Sequence, residues 1–171
     1  EECLPPALRD SGFMRFLFKL HWGRFIDDLE QFRATITHLS PESYKDIYAR
    51  MPRLQNETDN SRACLAAIVE RVSAGRVCDI GCGTGFLLDQ LRQKRAADLL
   101  ELHGVDFIIE ADTRRRHPSI QFHAAQIESL PFPDRHFDTV VYTHVLEHIL
   151  DIRSAIRELR RVCAGGLIVV V

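Results

Sequence analysis

The chain has 171 residues, of which 46% are hydrophobic and 27% charged, with a formal net charge of −2. That length and usage suit one globular domain with its own core, not a disordered or fibrous chain. The near-neutral balance gives no bulk attraction to a phosphate backbone or an anionic bilayer, no apolar run reaches the length of a membrane span, and no segment reads as a secretory leader. No nucleic-acid partner is therefore expected, and a cytoplasmic location is. The five cysteines, Cys3, Cys64, Cys78, Cys82 and Cys163, are odd in number and form no CxxC pair, which reads as reduced thiols in place of a disulfide framework or zinc knuckle.

In chain order, Pro5 and Pro6 mark an irregular start. Phe13, Phe16, Leu17 and Leu20 fall at helical spacing, and Ile26, Leu29, Phe32 and Ile36 repeat it after Gly23. Ser40, Pro41 and Glu42 read as a helix start that leads through Tyr44, Ile47 and Tyr48 to Pro52. A polar connection follows, with Asp59, Asn60 or Ser61 as cap of a helix through Leu65, Ile68, Val69 and Val72. From Arg76 the character changes. Val77–Ile80 is a short apolar strand, followed by a glycine loop and a helical stretch from Phe86 to about Ala97. Further strands are predicted at Leu102–Asp106, Ile120–His123, Phe137–Thr143 and Leu167–Val171, with an amphipathic helix over Ile152–Val162. Strands alternating with helices imply βαβ units and a mostly parallel, doubly wound sheet with helices on both faces. The layout is an amino-terminal helical cap over residues 1–62 and an α/β core over 63–171. Residue 1 is Glu, and Leu167–Val171 reads as a buried strand with nothing after it, so a longer natural chain is expected.

The loop from Asp79 to Gly85 follows a strand and opens a helix. Its glycines run GxGxG, with Phe86 where the dinucleotide fingerprint GxGxxG has its third glycine, and it lacks the lysine of a phosphate-binding P-loop. A carboxylate, Asp106, ends the second strand about 20 residues further on, where it can accept two hydrogen bonds from a ribose diol. The segment Val77–Gly85 closely resembles the first motif of the class I, Rossmann-like S-adenosylmethionine-dependent methyltransferases, in their small-molecule branch called type 11. Gln126–Phe132 resembles that family's "DAEDLPF" segment, Phe137–His148 its "FDxVxxxxVLEH" segment, and Glu158–Val162 with Gly165 and Gly166 its "ELxRVLxPGG" segment, Ala164 replacing the proline. The resemblance covers roughly residues 65–171. It implies a seven-stranded sheet whose last two strands lie beyond this chain.

The resemblance also implies roles. S-adenosylmethionine would be the cofactor and a small molecule, glycan or lipid intermediate the methyl acceptor. Asp79 would orient the loop and meet the methionine ammonium, and Gly81, Cys82, Gly83, Thr84 and Gly85 would let the backbone approach the cofactor closely. Asp106 would bind ribose, with Phe107 beside the adenine. Gln126, standing where the family usually has Asp, can still accept a hydrogen bond from the adenine amino group through its amide oxygen, and Ile127 would pack on the base. Thr143 and His144 would face the methionine end and the acceptor, with His144 the candidate general base for a hydroxyl acceptor.

Other readings are weighed beside these. His144, Glu147 and His148 spell HxxEH, the inverted zinc-protease pattern, and also stand near a Glu-x-x-Glu-His metal set of some related methyltransferases. The first histidine ends a buried strand and the trio is incomplete, so no metal is expected; Glu147 and His148 read as the start of the next helix. Tyr44 and Tyr48 lie one turn apart and share a face, suited to shaping an acceptor pocket or to ordinary packing. The apolar stretch from Phe13 to Trp22 reads as a helix packed on the core or on a homodimer mate, with a membrane surface as the alternative. Arg114–Arg116 reads as a solvated helix end. Two other classes of function stand behind the transferase: a cofactor-binding regulatory or assembly module, and a nicotinamide oxidoreductase, which Phe86 disfavours.

Overall fold

The computed structural model describes residues 11–23, 35, 40, 43, 58–146, 149 and 151–171. The chain forms two compact units, Glu1–Met51 and Pro52–Val171. In the first, helix α1 spans Gly12–Trp22, with the Ser11 hydroxyl accepting from the Met14 N–H at 3.4 Å as its cap. Phe13, Phe16 and Leu20, read from sequence as an apolar face, are exposed. The expected helices through Ile26–Ile36 and Ser40–Pro52, with Tyr44 and Tyr48, lie outside the described residues save for single positions.

The second unit contains α2 (Arg62–Arg71), β1 (Gly75–Ile80), α3 (Phe86–Arg95), β2 (Leu99–Asp106), α4 (Ala111–Arg116), β3 (Gln121–Ala124), β4 (Phe137–Thr143), α5 (Ile152–Val162) and β5 (Cys163–Val170). The five strands form one sheet in the order β3-β2-β1-β4-β5, and every neighbouring pair is parallel. The chain winds outward from β1 to β3, then returns to the other side of β1 for β4 and β5. This is the doubly wound arrangement that the alternating pattern implied.

Both sheet faces are covered, and the strands show it. Ile68 and Val69 of α2 with Leu88 and Leu91 of α3 pack with Val77, Leu102 and Val141 on one face. Ala155, Leu159 and Val162 of α5 pack with Cys78, Val105 and Val140 on the other. The central strands β1 and β4 are therefore buried along most of their length, as strands covered on both sides are. The outer strand β5 differs from its sequence reading. It starts at Cys163, ends at Val170 and alternates between half-buried and exposed residues, with Leu167 and Val169 on the open side. A buried strand was expected there; its edge position leaves one face uncovered among the described residues, and period-two alternation follows.

Capping resolves one open choice: Ser61 caps α2, its hydroxyl accepting from the Cys64 N–H at 3.2 Å. Asp151 caps α5, accepting from the Ser154 N–H at 3.1 Å; the reading of Glu147 and His148 as a helix start lies outside the described residues. Helix α4 buries only Thr113 and so carries no apolar period to read, but its Arg114–Arg116 end is the solvated one expected. One ionic clamp spans the lower part of the second unit. Arg161 grips both carboxylate oxygens of Glu158 at 2.7 Å and also donates to the Phe132 and Leu130 carbonyls at 2.7 and 3.0 Å, while Glu158 accepts from the Leu130 N–H at 2.8 Å. The Leu130–Phe132 turn is thereby fastened to α5.

Candidate functional site

β1 ends at Ile80, and the next five residues fold over the end of β2. The N–H groups of Gly81 and Cys82 both donate to the Val105 carbonyl, at 2.8 and 3.0 Å, and the Gly85 N–H closes a turn onto the Cys82 carbonyl at 2.8 Å. Gly81 and Gly85 hold φ of +79° and +81°, a region that L side chains rarely adopt. A Cβ at Gly81 would run into the Val145 side chain, and one at Gly85 would lie 2.8 Å from the Phe122 ring. Gly85 also caps α3. Glycine at these positions is thus demanded by backbone conformation and by the close approach of the loop to its neighbours.

Asp106, the last residue of β2, ties the loop down. Its Oδ2 accepts from the Gly83 N–H at 2.8 Å and its Oδ1 from the Ile108 N–H at 3.4 Å. An ionised carboxylate offers about four acceptor positions, so capacity remains for two hydroxyl donors. Asp79 stands nearby on β1 and is only 3% exposed. Burial, and then the charge of Asp106, push its carboxyl up to about 7. The Cys82 thiol is buried in the same loop, and burial with the charges of Asp79 and Asp106 raises its pKa, so it stays protonated.

Thr143 and His144 stand at the end of β4. Thr143 is buried, and its hydroxyl accepts from Asn60 Nδ2 at 3.1 Å; Asn60 Oδ1 in turn accepts from the Cys64 thiol at 3.2 Å. His144 is half-buried at φ +52°, outside any helix, with its N–H on the Val170 carbonyl at 3.0 Å. That conformation does not place His144 on a helical face, as the inverted zinc-protease reading requires. Beyond β3, Gln126 is exposed and its carbonyl accepts from the Ser129 N–H at 3.1 Å, while Ile127 is buried in the core with Ile80, Val105 and Leu130. Thr84 and Phe107 are half-buried. Asp79, the loop from Gly81 to Gly85, Asp106, Phe107, Thr143 and His144 are thus gathered at the carboxyl ends of β1, β2 and β4. Glu147 and His148 lie outside the described residues. Asn60 was read only as a possible cap; the 83 positions between it and Thr143 leave no local signal of the contact.

These residues stand where the strand order reverses, the place where open parallel sheets bind ligands. The chain belongs to the class I S-adenosylmethionine-dependent methyltransferase superfamily: a family model described as a methyltransferase domain matches residues 78–171. A Mycobacterium tuberculosis protein described as a probable S-adenosylmethionine-dependent methyltransferase is 34% identical over 108 residues, which cover 60% of this chain and 37% of that protein. The demethylmenaquinone methyltransferase of Roseiflexus castenholzii is 36% identical over 110 residues, covering 61% of this chain and 45% of that enzyme. The chain therefore spans less than half the length of these curated relatives. Among solved structures, the [4+2]-cyclase SpnF is 27% identical with a TM-score of 0.54, over 67% of this chain and 48% of that one.

The residues present fit the cofactor that this superfamily uses. The loop glycines hold the positive φ that folds its backbone over the strand ends, Asp106 keeps acceptor capacity for a vicinal diol, and Asp79 is a buried acid that a neighbouring ammonium would stabilise as a carboxylate. No helix among the described residues is long and apolar enough to cross a membrane.

Proposed function

We propose that this chain supplies the cofactor half of an enzyme that moves a methyl group from S-adenosylmethionine to a small-molecule, glycan or lipid-intermediate acceptor. The observation that carries the reading is the join between Asp106 and the Gly83 N–H, which sets a ribose-competent carboxylate against the glycine loop at the sheet's switch point. The bound cofactor supplies an activated methyl on a sulfonium; the protein supplies orientation and a shaped site.

Asp106 accepts from the ribose hydroxyls with the lone pairs that Gly83 and Ile108 leave. Asp79 accepts from the methionine ammonium, directly or through water, and ionises in doing so. Phe107 lies beside the adenine, Gln126 accepts from its amino group and Ile127 backs it from the core. Thr143, oriented by Asn60, and His144 face the acceptor. His144 takes the proton where the acceptor is a hydroxyl. Its strained backbone, with φ +52° at a non-glycine residue, is of the kind that gathers at ligand-contacting positions.

A second reading is a cofactor-binding regulatory or assembly domain without methyl transfer; what supports it is that one structure of this fold is named as a cyclase and not as a methyltransferase, so the fold by itself does not carry transfer. Calorimetric titration with S-adenosylmethionine and S-adenosylhomocysteine tests the first step for both readings. Micromolar binding that disappears in Asp106→Ala supports the site; no binding to the unaltered chain removes it. Turnover against candidate acceptors, with His144→Ala as the control, then separates transfer from binding alone.

A further inference from the structure

Toward the amino-terminal ends of β2 and β4, side chains from three segments converge. Glu101 and His103 share a face of β2 because they are two residues apart on a strand. His136 immediately precedes β4, and His123 lies on β3. His103 is 4% exposed. Its Nε2 lies 3.0 Å from Glu101 Oε2 and its Nδ1 lies 3.1 Å from His123 Nε2. One donor atom each from Glu101, His103 and His136 lie within 4.8 Å of one another. The rings are held by packing: His136 stacks on Phe132 at 5.9 Å and meets Phe137 edge-on at 4.7 Å, and His103 stacks on His123 at 5.3 Å.

We propose that Glu101, His103 and His136 bind a divalent transition-metal ion of the zinc class, with His123 orienting His103 from behind. Two imidazoles and one carboxylate make the three-ligand set that zinc takes when a fourth position stays open to water. A tetrahedral ion with ligand distances of about 2.1 Å holds its donors about 3.4 Å apart, between the 3.0 Å of the Glu101–His103 pair and the 4.8 Å that bounds the set, so binding draws the outer donors together. The Glu101 side chain is 44% exposed, which leaves a path for the ion and room for the water.

As the rings stand, His103 Nε2 donates to the Glu101 carboxylate and His103 Nδ1 accepts from His123 Nε2. With Nε2 on the metal both rings change tautomer: His103 carries its proton on Nδ1 and donates to His123 Nε2, which holds the ring plane as an orienting partner does. Arg76 opposes the ion. Its Nη1 lies 3.3 Å from His136 Nδ1; a guanidinium only donates, so it occupies the one lone pair of the neutral ring. The ion must displace that bond to take His136, and this gives the site a signature: removal of Arg76 strengthens metal binding.

The test uses the full 171-residue chain, stripped with chelator and titrated with Co²⁺ and then Zn²⁺ as the only added ions. One ion per chain is expected, with visible cobalt bands of a four- or five-coordinate site, no thiolate-to-cobalt band, and displacement by zinc. Glu101→Gln, at an exposed position that spares the core, and His136→Gln should each abolish the bands. His123→Gln should weaken binding about ten- to hundredfold, as loss of an orienting partner does, and Arg76→Gln should tighten it severalfold. Far-ultraviolet circular dichroism checks that each variant folds. Absence of stoichiometric uptake, uptake unchanged in Glu101→Gln and His136→Gln, or a thiolate band that places the ion on a cysteine would each overturn the proposal.

Discussion

The two edges of the sheet are both built from buried or half-buried polar groups, yet they are built in opposite ways. At the carboxyl edge the site is mostly one stretch of chain, Asp79 to Gly85, pinned by a single carboxylate from the next strand. Backbone conformation decides it: the glycines hold positive φ, and the contacts that matter are N–H groups. At the amino edge, Glu101 and His103 from β2, His123 from β3 and His136 from before β4 come from three places, and side-chain convergence decides it. A loop specified by backbone tolerates almost no change at its glycines. A cluster specified by convergence depends on every element that brings its members together.

Asp106→Ala should break the carboxyl edge most completely. Each hydrogen bond to a charged group is worth about 1.5–3 kcal/mol, so losing two ribose contacts should weaken S-adenosylmethionine about a hundredfold or more by calorimetry. Cobalt uptake at the opposite edge should be unchanged; a parallel loss there would show that the edges are not independent. Gly85→Ala comes next. A side chain at φ +81° facing the Phe122 ring should cost about 1–3 kcal/mol or more in urea unfolding, and Phe122→Leu in the same chain should restore part of it.

Arg161→Ala attacks the other edge through its support. Loss of the bonds to Glu158 and to the Leu130 and Phe132 carbonyls should destabilise by about 2–3 kcal/mol. It should also loosen the Phe132 ring that packs against His103, His123 and His136, so cobalt affinity should fall more than cofactor affinity.

Asp79 gives a pH test of the carboxyl edge. Its folded carboxyl titrates at about 7, above the ordinary 3.8. Its contribution to folding stability is therefore fully present below the ordinary value and lost as pH rises through about 7. Asp79→Asn should flatten that loss in the free protein. Cofactor binding acts in the reverse sense, because the ammonium favours the carboxylate. Affinity should fall about tenfold from pH 8 to pH 6, and binding near pH 6 should release a proton, read as a buffer-dependent heat. A pH-independent affinity would mean that Asp79 does not meet the ammonium. The smallest effect is expected at Gln126, where the exposed amide should contribute one neutral hydrogen bond. Gln126→Ala should weaken the cofactor only severalfold, by about 0.5–1.5 kcal/mol.

The sequence by itself determined the alternation of strands and helices from Val77 onward, because each element carries its own period and its own breakers. It determined the glycine loop too, since a positive φ is a local demand that only glycine meets cheaply, and it located Asp106, which ends a readable strand at a set distance from that loop. Of helix α4 only the basic end at Arg114–Arg116 was legible, because it buries one threonine and has no apolar stripe. The alternating exposure of β5 escaped because exposure depends on what covers a strand, not on its own residues. Only the tertiary structure decided that Asn60 reaches Thr143, that Arg161 fastens the Leu130–Phe132 turn, and that Glu101 and His103 meet His123 and His136. The most conspicuous metal-like pattern in the chain, His144 to His148, begins in a bend at the end of β4. The imidazoles that do converge carry no pattern, because strand pairing sets their spacing and pairing partners are chosen by the whole sheet.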